Sequence, residues 1–287
     1  MKKDFLVIVR GGGDLATGCI HRLWSAGFKV LVLECAAPAA IRRQVSVCEA
    51  VYEGSNVFEG MTAALINNVQ EADSVWQAGN VPVLVDEVGA CVEELKPDVV
   101  VDAIIAKKNL GTKIDMAPLT IALGPGFEAA VDVDAVVETK RGHNLGRIIR
   151  EGKAAPNSGI PGDIGGYTSE RVLHAEAAGT MHIIQGIGAI VEQGDVIAEI
   201  LTENEKIPVK ATITGIIRGM IREGYVVTKG FKIADIDPRK SELANCFTIS
   251  DKARCIAGSV LELVCKQYME KYNGKDFSSH RRAIKKW

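Results

Sequence analysis

The sequence predicts an α/β protein with a Rossmann-like, mostly parallel sheet, a small all-β domain and a C-terminal helix. Three observations support this prediction: a buried-strand pattern that runs into a glycine turn, short Val/Ile/Leu runs alternating with longer segments, and a β pattern that occurs twice. We expect a Rossmann-like domain at 1–173, a small β domain at 174–237, and a helix and tail at 238–287 that pack on the first domain.

The first βαβ unit carries the strongest local signal. The apolar run at 5–9 (FLVIV) suits a buried parallel strand. It leads into a turn made of Gly11, Gly12, Gly13 and Asp14. Gly11, Gly13 and Ala16 match the G-x-G-x-x-G/A spacing, in which backbone N–H groups approach a phosphate at a helix N-terminus. A tight glycine turn that binds no nucleotide gives the same pattern.

The second strand, at 29–33, ends in an acidic residue. Glu34 follows Gly11 by 23 positions, close to the spacing of about 20 at which a carboxylate hydrogen-bonds a ribose hydroxyl. Arg42 and Arg43 come next, and arginines in that region sometimes take a ribose phosphate, but more often form salt bridges or face water. NAD, NADP and another nucleotide therefore all stay open as ligands.

Four more strand patterns follow, at 81–85, 99–103, 119–123 and 135–138. In a parallel sheet, ligands bind outside the carboxyl ends of the strands. This rule selects further phosphate-binding candidates in three loops: Lys107, Asn109 and Thr112; Gly124 and Gly126; and Arg141, His143 and Arg147. His143 is also the candidate general acid or base, although a lone histidine in a polar loop is more often a hydrogen-bonding residue.

A repeat defines the second domain. Residues 177–200 align without gaps on 213–236 at an offset of 36, with glycines and apolar residues at matched positions. The pattern resembles the biotinyl/lipoyl-type barrel-sandwich hybrid. Because Asn204 stands where such carriers have their modified lysine, we expect neither biotin nor lipoate.

The composition is typical of an ordinary soluble globular protein. The formal net charge is −2, the hydrophobic share is 47%, and the seven cysteines form no C-x-x-C pair. We therefore expect a cytoplasmic protein with no nucleic-acid partner, no membrane association and no metal site. The basic residues 278–287 read as a solvated tail.

Motifs along nearly the whole chain suggest a family. They are GGGDLATG, IRRQVSVCEAVYEG, KKNLGT, GPGF, RGHNLGR, TGIIRGMIREG, KGFKIADIDPR and SDKARCIAGSVLE. Their order resembles the selenium-dependent molybdenum hydroxylase maturation family (YqeB-type). The resemblance implies an accessory protein. Together with the glycine turn and the basic RGHNLGR run, it predicts that the protein binds a nucleotide or a molybdenum-cofactor-type phosphate ligand at the strand-exit loops. It also implies the hydroxylase and its other maturation factors as partners.

Two other functions stay open. One is a non-enzymatic scaffold that docks a hydroxylase or a selenium donor through the barrel-sandwich domain, and the other is an NAD(P)-dependent oxidoreductase. The sequence leaves open whether the protein is an enzyme, which cofactor it binds and whether it is a homo-oligomer.

Overall fold

The computed structural model describes residues 4–274. Its first part contains the strands β1 (Leu6–Arg10), β2 (Lys29–Glu34), β3 (Ser55–Phe58), β4 (Met61–Ile66), β5 (Val81–Val85), β6 (Val99–Asp102), β7 (Leu119–Leu123), β8 (Glu128–Ala129), β9 (Ala135–Val137), β10 (Ile148–Ile149) and β11 (Gly152–Lys153). The helices of this part are α1 (Asp14–Ser25), α2 (Ala50–Glu53), α3 (Ala72–Gln77) and α4 (Cys91–Leu95).

The second part is mostly β structure followed by one long helix. Its strands are β12 (Val172–His174), β13 (Gly179–Ile183), β14 (Ile190–Val191), β15 (Val196–Leu201), β16 (Lys206–Lys210), β17 (Gly215–Met220), β18 (Val226–Val227) and β19 (Lys232–Asp237), and its helix is α5 (Asp251–Asn273). The predicted tail at 278–287 lies outside the described residues. Within residues 4–274, no helix has both the length and the hydropathy needed to cross a membrane.

One large sheet has the strand order β10-β9-β7-β6-β1-β2-β5-β4-β3. Neighbours from β4 across to β9 pair in parallel, and the two outer strands, β3 and β10, are antiparallel. The predicted α/β class with a mostly parallel sheet is confirmed. The chain order reverses between β1 and β6, so the carboxyl ends of these two strands flank the crevice where such sheets bind ligands.

Helices cover both faces of this sheet, as its continuous apolar strands require. α1 and α5 share the core on one face, and α3 and α4 share the core on the other. α5 begins at Ser250, whose hydroxyl accepts a hydrogen bond from the N–H of Ala253 at 3.2 Å. Gly18 lets the two helices meet, because a Cβ there would lie only 2.8 Å from the Ala253 Cβ.

The repeat forms two four-stranded antiparallel sheets, β12-β19-β17-β14 and β16-β15-β13-β18. The offset of 36 residues relates β14 to β18 and β15 to β19, residue by residue. β14 and β18 are exchanged, since each pairs with a strand of the other repeat. The two sheets enclose one apolar core, to which both repeats contribute.

The β sheets dock on the parallel sheet through the segment after β2. Ile41 accepts a hydrogen bond from the N–H of Met220 at 2.8 Å, and the Arg43 Nε donates to the Met220 carbonyl at 2.8 Å. Arg222 donates to the buried Glu49 carboxylate at 2.9 Å. Arg43, a ligand candidate from sequence, is therefore engaged in this junction.

Candidate functional site

The glycine turn after β1 lies where the strand order reverses. Gly11 has a φ of +92°, and its N–H donates to the Leu33 carbonyl at 2.8 Å. The N–H of Gly12 donates to the Glu34 carboxylate at 2.7 Å. Gly13 is the N-cap of α1. Two of the three glycine amides are thus already bonded within the protein.

Close backbone packing explains glycine at the first two positions. A Cβ on Gly11 would lie 2.9 Å from the backbone of Ile104, and one on Gly12 would lie 2.8 Å from the nitrogen of Cys48. A Cβ on Gly13 would meet no atom within 4 Å. The part of the turn that faces open space is therefore Gly13 and the start of α1.

The Glu34 carboxylate holds the glycine turn through hydrogen bonds to the backbone. One carboxylate oxygen accepts the Gly12 N–H at 2.7 Å and the other accepts the Cys35 N–H at 2.8 Å. A ribose hydroxyl would have to share or displace these bonds. The ribose contact of Glu34 stays a prediction.

A cleft of about 400 Å³ lies between the start of α1, the loop after β6, the start of α5 and the β sheets. We call it the cationic cleft. It is lined by three carboxylates and seven basic side chains, namely Asp14, Asp163 and Asp235, and Arg42, Lys107, Lys140, Arg141, Arg171, Arg218 and Lys252. A concave surface with this excess of positive charge attracts anions.

Three arginines of the cationic cleft are only partly satisfied. Arg171 Nη1 lies 2.7 Å from an Asp235 oxygen, and Arg218 Nη1 lies 3.4 Å from an Asp237 oxygen. The Nε atoms of Arg171, Arg218 and Arg42 are buried and have no hydrogen-bond partner within residues 4–274. Because buried donors are normally paired, the bonding of these guanidinium groups is incomplete on the protein side.

Arg42 connects the parts of the molecule that meet at the cleft. Its side chain is 9% exposed, and its Nη2 donates to the carbonyls of Asn245 and Thr248 at 2.9 and 3.0 Å. Its Nη1 lies 3.6 Å from the Asp14 carboxylate at the start of α1. Burial lowers the pKa of Arg42, while the nearby Asp14 opposes that shift.

Three lysines of the cleft, Lys107, Lys140 and Lys252, form no ion pair within the described part of the chain. Burial lowers the pKa of Lys252, and the charge of Asp14 acts in the opposite direction. An anion beside Lys252 would favour its charged form. The three lysines therefore add positive charge that nearby carboxylates such as Asp14 offset only at a distance, without a direct ion pair within residues 4–274.

Both long helices begin at the cationic cleft. Asp14 and Leu15 at the start of α1, and Ser250 and Lys252 at the start of α5, are among its lining residues. The N–H groups of Leu15, Lys252 and Ala253 are already bonded to the side chains of Asp14, Asp251 and Ser250, so what each helix start contributes is the partial positive charge of its dipole. This adds to the positive potential of the side chains.

The structure brings the predicted strand-exit loops together at the cleft. A Cβ on Gly126 would lie 2.6 Å from the nitrogen of Lys108, and one on Gly124 would lie 2.5 Å from the Thr139 hydroxyl. The two glycines therefore let their turn fit between the loop that carries Lys107 and the end of β9. Lys107 and Arg141 both line the cleft.

Asn109 and Thr112 serve the loop itself. The Asn109 side chain bonds three backbone groups of its own loop, each at 2.8 Å. The Thr112 hydroxyl donates to Asp102 at 2.6 Å and accepts from Arg10 at 2.5 Å. Both residues hold the loop in place, and neither lines the cationic cleft.

His143 and Arg147 are exposed residues in the turn after β9. Neither is among the described residues that line the cleft. The catalytic role of His143 and the phosphate contact of Arg147 stay predictions.

Sequence reasoning missed several basic residues of the cleft. Arg171, Arg218 and Lys252 lie far apart along the chain and carry no shared motif. Lys140 precedes the candidate Arg141 in the loop after β9 and carries no pattern of its own. Only the docking of the β sheets and α5 places these residues at one cleft.

A second cavity, of about 450 Å³, adjoins the first. We call it the apolar cavity, because most of its lining is hydrocarbon. Both cavities are lined by Asp14, Leu15, Arg42, Ile105 and Asp235. Within residues 4–274, no cluster of three or more His, Cys, Asp or Glu side chains is arranged to hold a metal ion.

Comparison with known proteins gives one close sequence relative. No protein-family model matches the chain. The chain is 51% identical over 257 residues to a protein of Escherichia coli (strain K12) described as "Uncharacterized protein YqeB". The match covers 90% of this chain and 47% of the relative, so the chain spans about half the length of that protein.

Solved structures give only distant likenesses. The product-bound ectoine utilization protein EutE (DoeB) from Ruegeria pomeroyi matches with a TM-score of 0.26 at 11% identity, over 80% of this chain and 84% of that chain. A succinylglutamate desuccinylase from Silicibacter matches with a TM-score of 0.25 at 10% identity, over 81% and 84%. An aspartoacylase family protein from Mesorhizobium loti matches with a TM-score of 0.24 at 10% identity, over 76% and 59%.

These comparisons correct the predicted family and function. No family model supports a selenium-dependent molybdenum hydroxylase maturation family, and the description of the curated relative names no activity. The predicted maturation function, with its molybdenum and selenium associations, is therefore wrong.

Proposed function

We propose that this protein binds a small phosphorylated compound in the cationic cleft. The observation that supports this proposal is the gathering of seven basic side chains around one cavity, with buried guanidinium groups whose hydrogen bonding is incomplete. A phosphate group carries several acceptor oxygens and up to two negative charges, which match forked guanidinium donors and lysines.

The geometry favours a ligand over a purely structural role for these charges. The four arginines of the cleft already meet a carboxylate each, and the structural Arg10 also has an Nε without a partner within residues 4–274, so the lysines are the main reason to expect a ligand. Here three lysines lack ion pairs within residues 4–274, and the helix N-termini of α1 and α5 add further positive potential. An anion in the cleft would relieve the repulsion among these groups.

The β sheets have a part in this proposal. We propose that residues 174–237 form a barrel-sandwich domain beside a Rossmann-like domain at 1–173, and the exchange of β14 and β18 supports that interpretation. Arg218 and Asp235 of this domain line the cleft. Binding of a ligand would then link the two domains and raise the stability of both.

Calorimetric titration with inorganic pyrophosphate tests the proposal. We expect saturable binding that weakens as salt increases, because exposed charges are screened. Lys252→Met removes a partly buried charge and should weaken binding by about 2 kcal/mol, or roughly 30-fold. Lys140→Glu acts at a more exposed position and should weaken it by about 1 kcal/mol, or roughly fivefold.

Lys210→Glu is the matched control, since Lys210 is exposed on β16 and lines neither cavity. It should leave the affinity unchanged within twofold. The proposal fails if pyrophosphate shows no saturable binding at millimolar concentration. It also fails if the control weakens binding as much as Lys252→Met does.

A further inference from the structure

We propose that the ligand is an organic phosphate with an apolar or aromatic body, whose phosphate lies in the cationic cleft and whose body lies in the apolar cavity. This inference rests on the proposed phosphate binding and names the class of compound. It is carried by the position and lining of the two adjoining cavities.

The two cavities share one wall. Leu15 at the start of α1 and Ile105 after β6 line both of them, together with Arg42. Because the two cavities adjoin at these residues, we infer that a compound whose charged group meets Arg42 extends past Ile105 into the apolar cavity. Volumes of about 400 and 450 Å³ together fall in the range of sites for small organic ligands.

The lining of the apolar cavity selects the chemistry of the body. Its hydrocarbon residues include Ala39, Ala40, Ile41, Ala103, Ile104 and Phe231. Its charged residues are Lys232 and the three that also line the cationic cleft, Asp14, Arg42 and Asp235. A sugar with many hydroxyl groups would lose hydrogen bonds to water in this surrounding, whereas an apolar body gains from burial.

The backbone between the two cavities is strained. Ile105 has a φ of +60° and Lys107 has a φ of +62°. A positive φ is costly for a β-branched residue, and such strain persists only where the surrounding structure enforces it. The loop is held by the buried contacts of Thr112 with Arg10 and Asp102. The loop places Ile105 where the two cavities adjoin and places Lys107 in the cationic cleft.

A matched pair of phosphate esters tests the inference. 1-Naphthyl phosphate and ribose 5-phosphate carry the same charged group on an aromatic and on a polar body. We expect the naphthyl ester to bind at least tenfold more tightly by calorimetry. Ala40→Trp fills the apolar cavity and should reduce that ratio to about one.

Two further variants separate the contributions. Lys252→Met should weaken both esters by the same factor and keep their ratio. Ile105→Asn, which tolerates the positive φ, should lower the ratio without the bulk of Trp and serves if Ala40→Trp does not fold. Ala78→Trp, at an exposed position outside both cavities, is the control and should keep the ratio.

The outcomes distinguish the two proposals. Equal affinities for the two esters, with pyrophosphate still bound, would overturn the inference and leave phosphate binding standing. A naphthyl preference that survives both Ala40→Trp and Ile105→Asn would also overturn it, because the body would then lie elsewhere. If pyrophosphate and both esters fail to bind, the proposed function and the inference fail together.

Discussion

Arg10→Met should be among the most destabilising single substitutions in this protein. Arg10 is 1% exposed, and the groups around it, Asp102 and Thr112, are 2% and 1% exposed. Its guanidinium lies 4.0 Å from the Asp102 carboxylate and donates to the Thr112 hydroxyl and to the carbonyl of Glu87. Removing it leaves a buried carboxylate without its counter-charge.

The expected cost is about 3–5 kcal/mol, the usual effect of breaking a buried ion pair from one side. That is a large fraction of a typical free energy of unfolding, which is about 5–15 kcal/mol. The double variant Arg10→Met with Asp102→Leu removes both charges. It should recover most of the loss, because an apolar pair of similar volume needs no counter-charge.

The cost should also depend on pH. Burial raises the pKa of Asp102, and the charge of Arg10 opposes that shift, so the pKa should rise further in the variant. A carboxyl whose pKa is higher in the folded than in the unfolded state contributes stability at low pH, and loses it as pH rises through the folded value. Arg10→Met should therefore cost less at pH 5 than at pH 8.

Urea unfolding at both pH values measures these effects. A cost below about 1 kcal/mol at pH 8 would refute the reasoning, since it would mean that Asp102 does not need Arg10. A double variant as unstable as the single one would refute it as well.

Three further predictions concern close packing and surface charge. Gly12→Ala should lower the free energy of unfolding in urea by about 1–3 kcal/mol, because the new Cβ would lie 2.8 Å from the Cys48 backbone. Gly13→Ala is the control and should lower it by under about 0.5 kcal/mol, because a Cβ there meets no atom within 4 Å. Gly18→Val should separate α1 from α5 and cost about 3 kcal/mol or more; a smaller loss in thermal unfolding would contradict the observed contact. A hydrogen bond from Arg141 holds the pKa of Asp251 below its usual range, so this pair adds stability above the unfolded pKa of about 4 and loses it as pH falls. Because both side chains are more than half exposed, Asp251→Asn should lower the free energy of unfolding by under about 1 kcal/mol. The same substitution removes a negative charge beside Arg141 and should strengthen pyrophosphate binding about twofold. Weaker binding would contradict the proposed cleft.

The parallel sheet could be predicted because each buried strand is a short local run of apolar residues. β1, β2, β5, β6 and β7 all carry that pattern. The sequence does not predict the hairpin of β3 and β4, because neither strand is a continuous buried run: two of the four β3 residues are exposed, and β4 mixes buried and half-buried positions. Its place at the edge of the sheet depends on long-range pairing with β5.

Residues of the cleft could be predicted from sequence only where they directly follow a strand of the parallel sheet. The rule that ligands bind at carboxyl ends selected Lys107 and Arg141, which do line the cleft. It could not distinguish a polar side chain that faces a ligand from one that supports the backbone, as Glu34 and Asn109 do. Arg218 joins the cleft through the docking of the antiparallel β sheets, which no local pattern encodes.

The exchange of β14 and β18 makes the duplicated halves interdependent. β14 of the first repeat pairs with β17 of the second, and β18 of the second pairs with β13 of the first, so each sheet needs a strand from both repeats. The two repeats thus form an interlocked pair inside one chain, comparable to a domain-swapped dimer whose subunits are covalently joined. We therefore expect that neither repeat folds without the other.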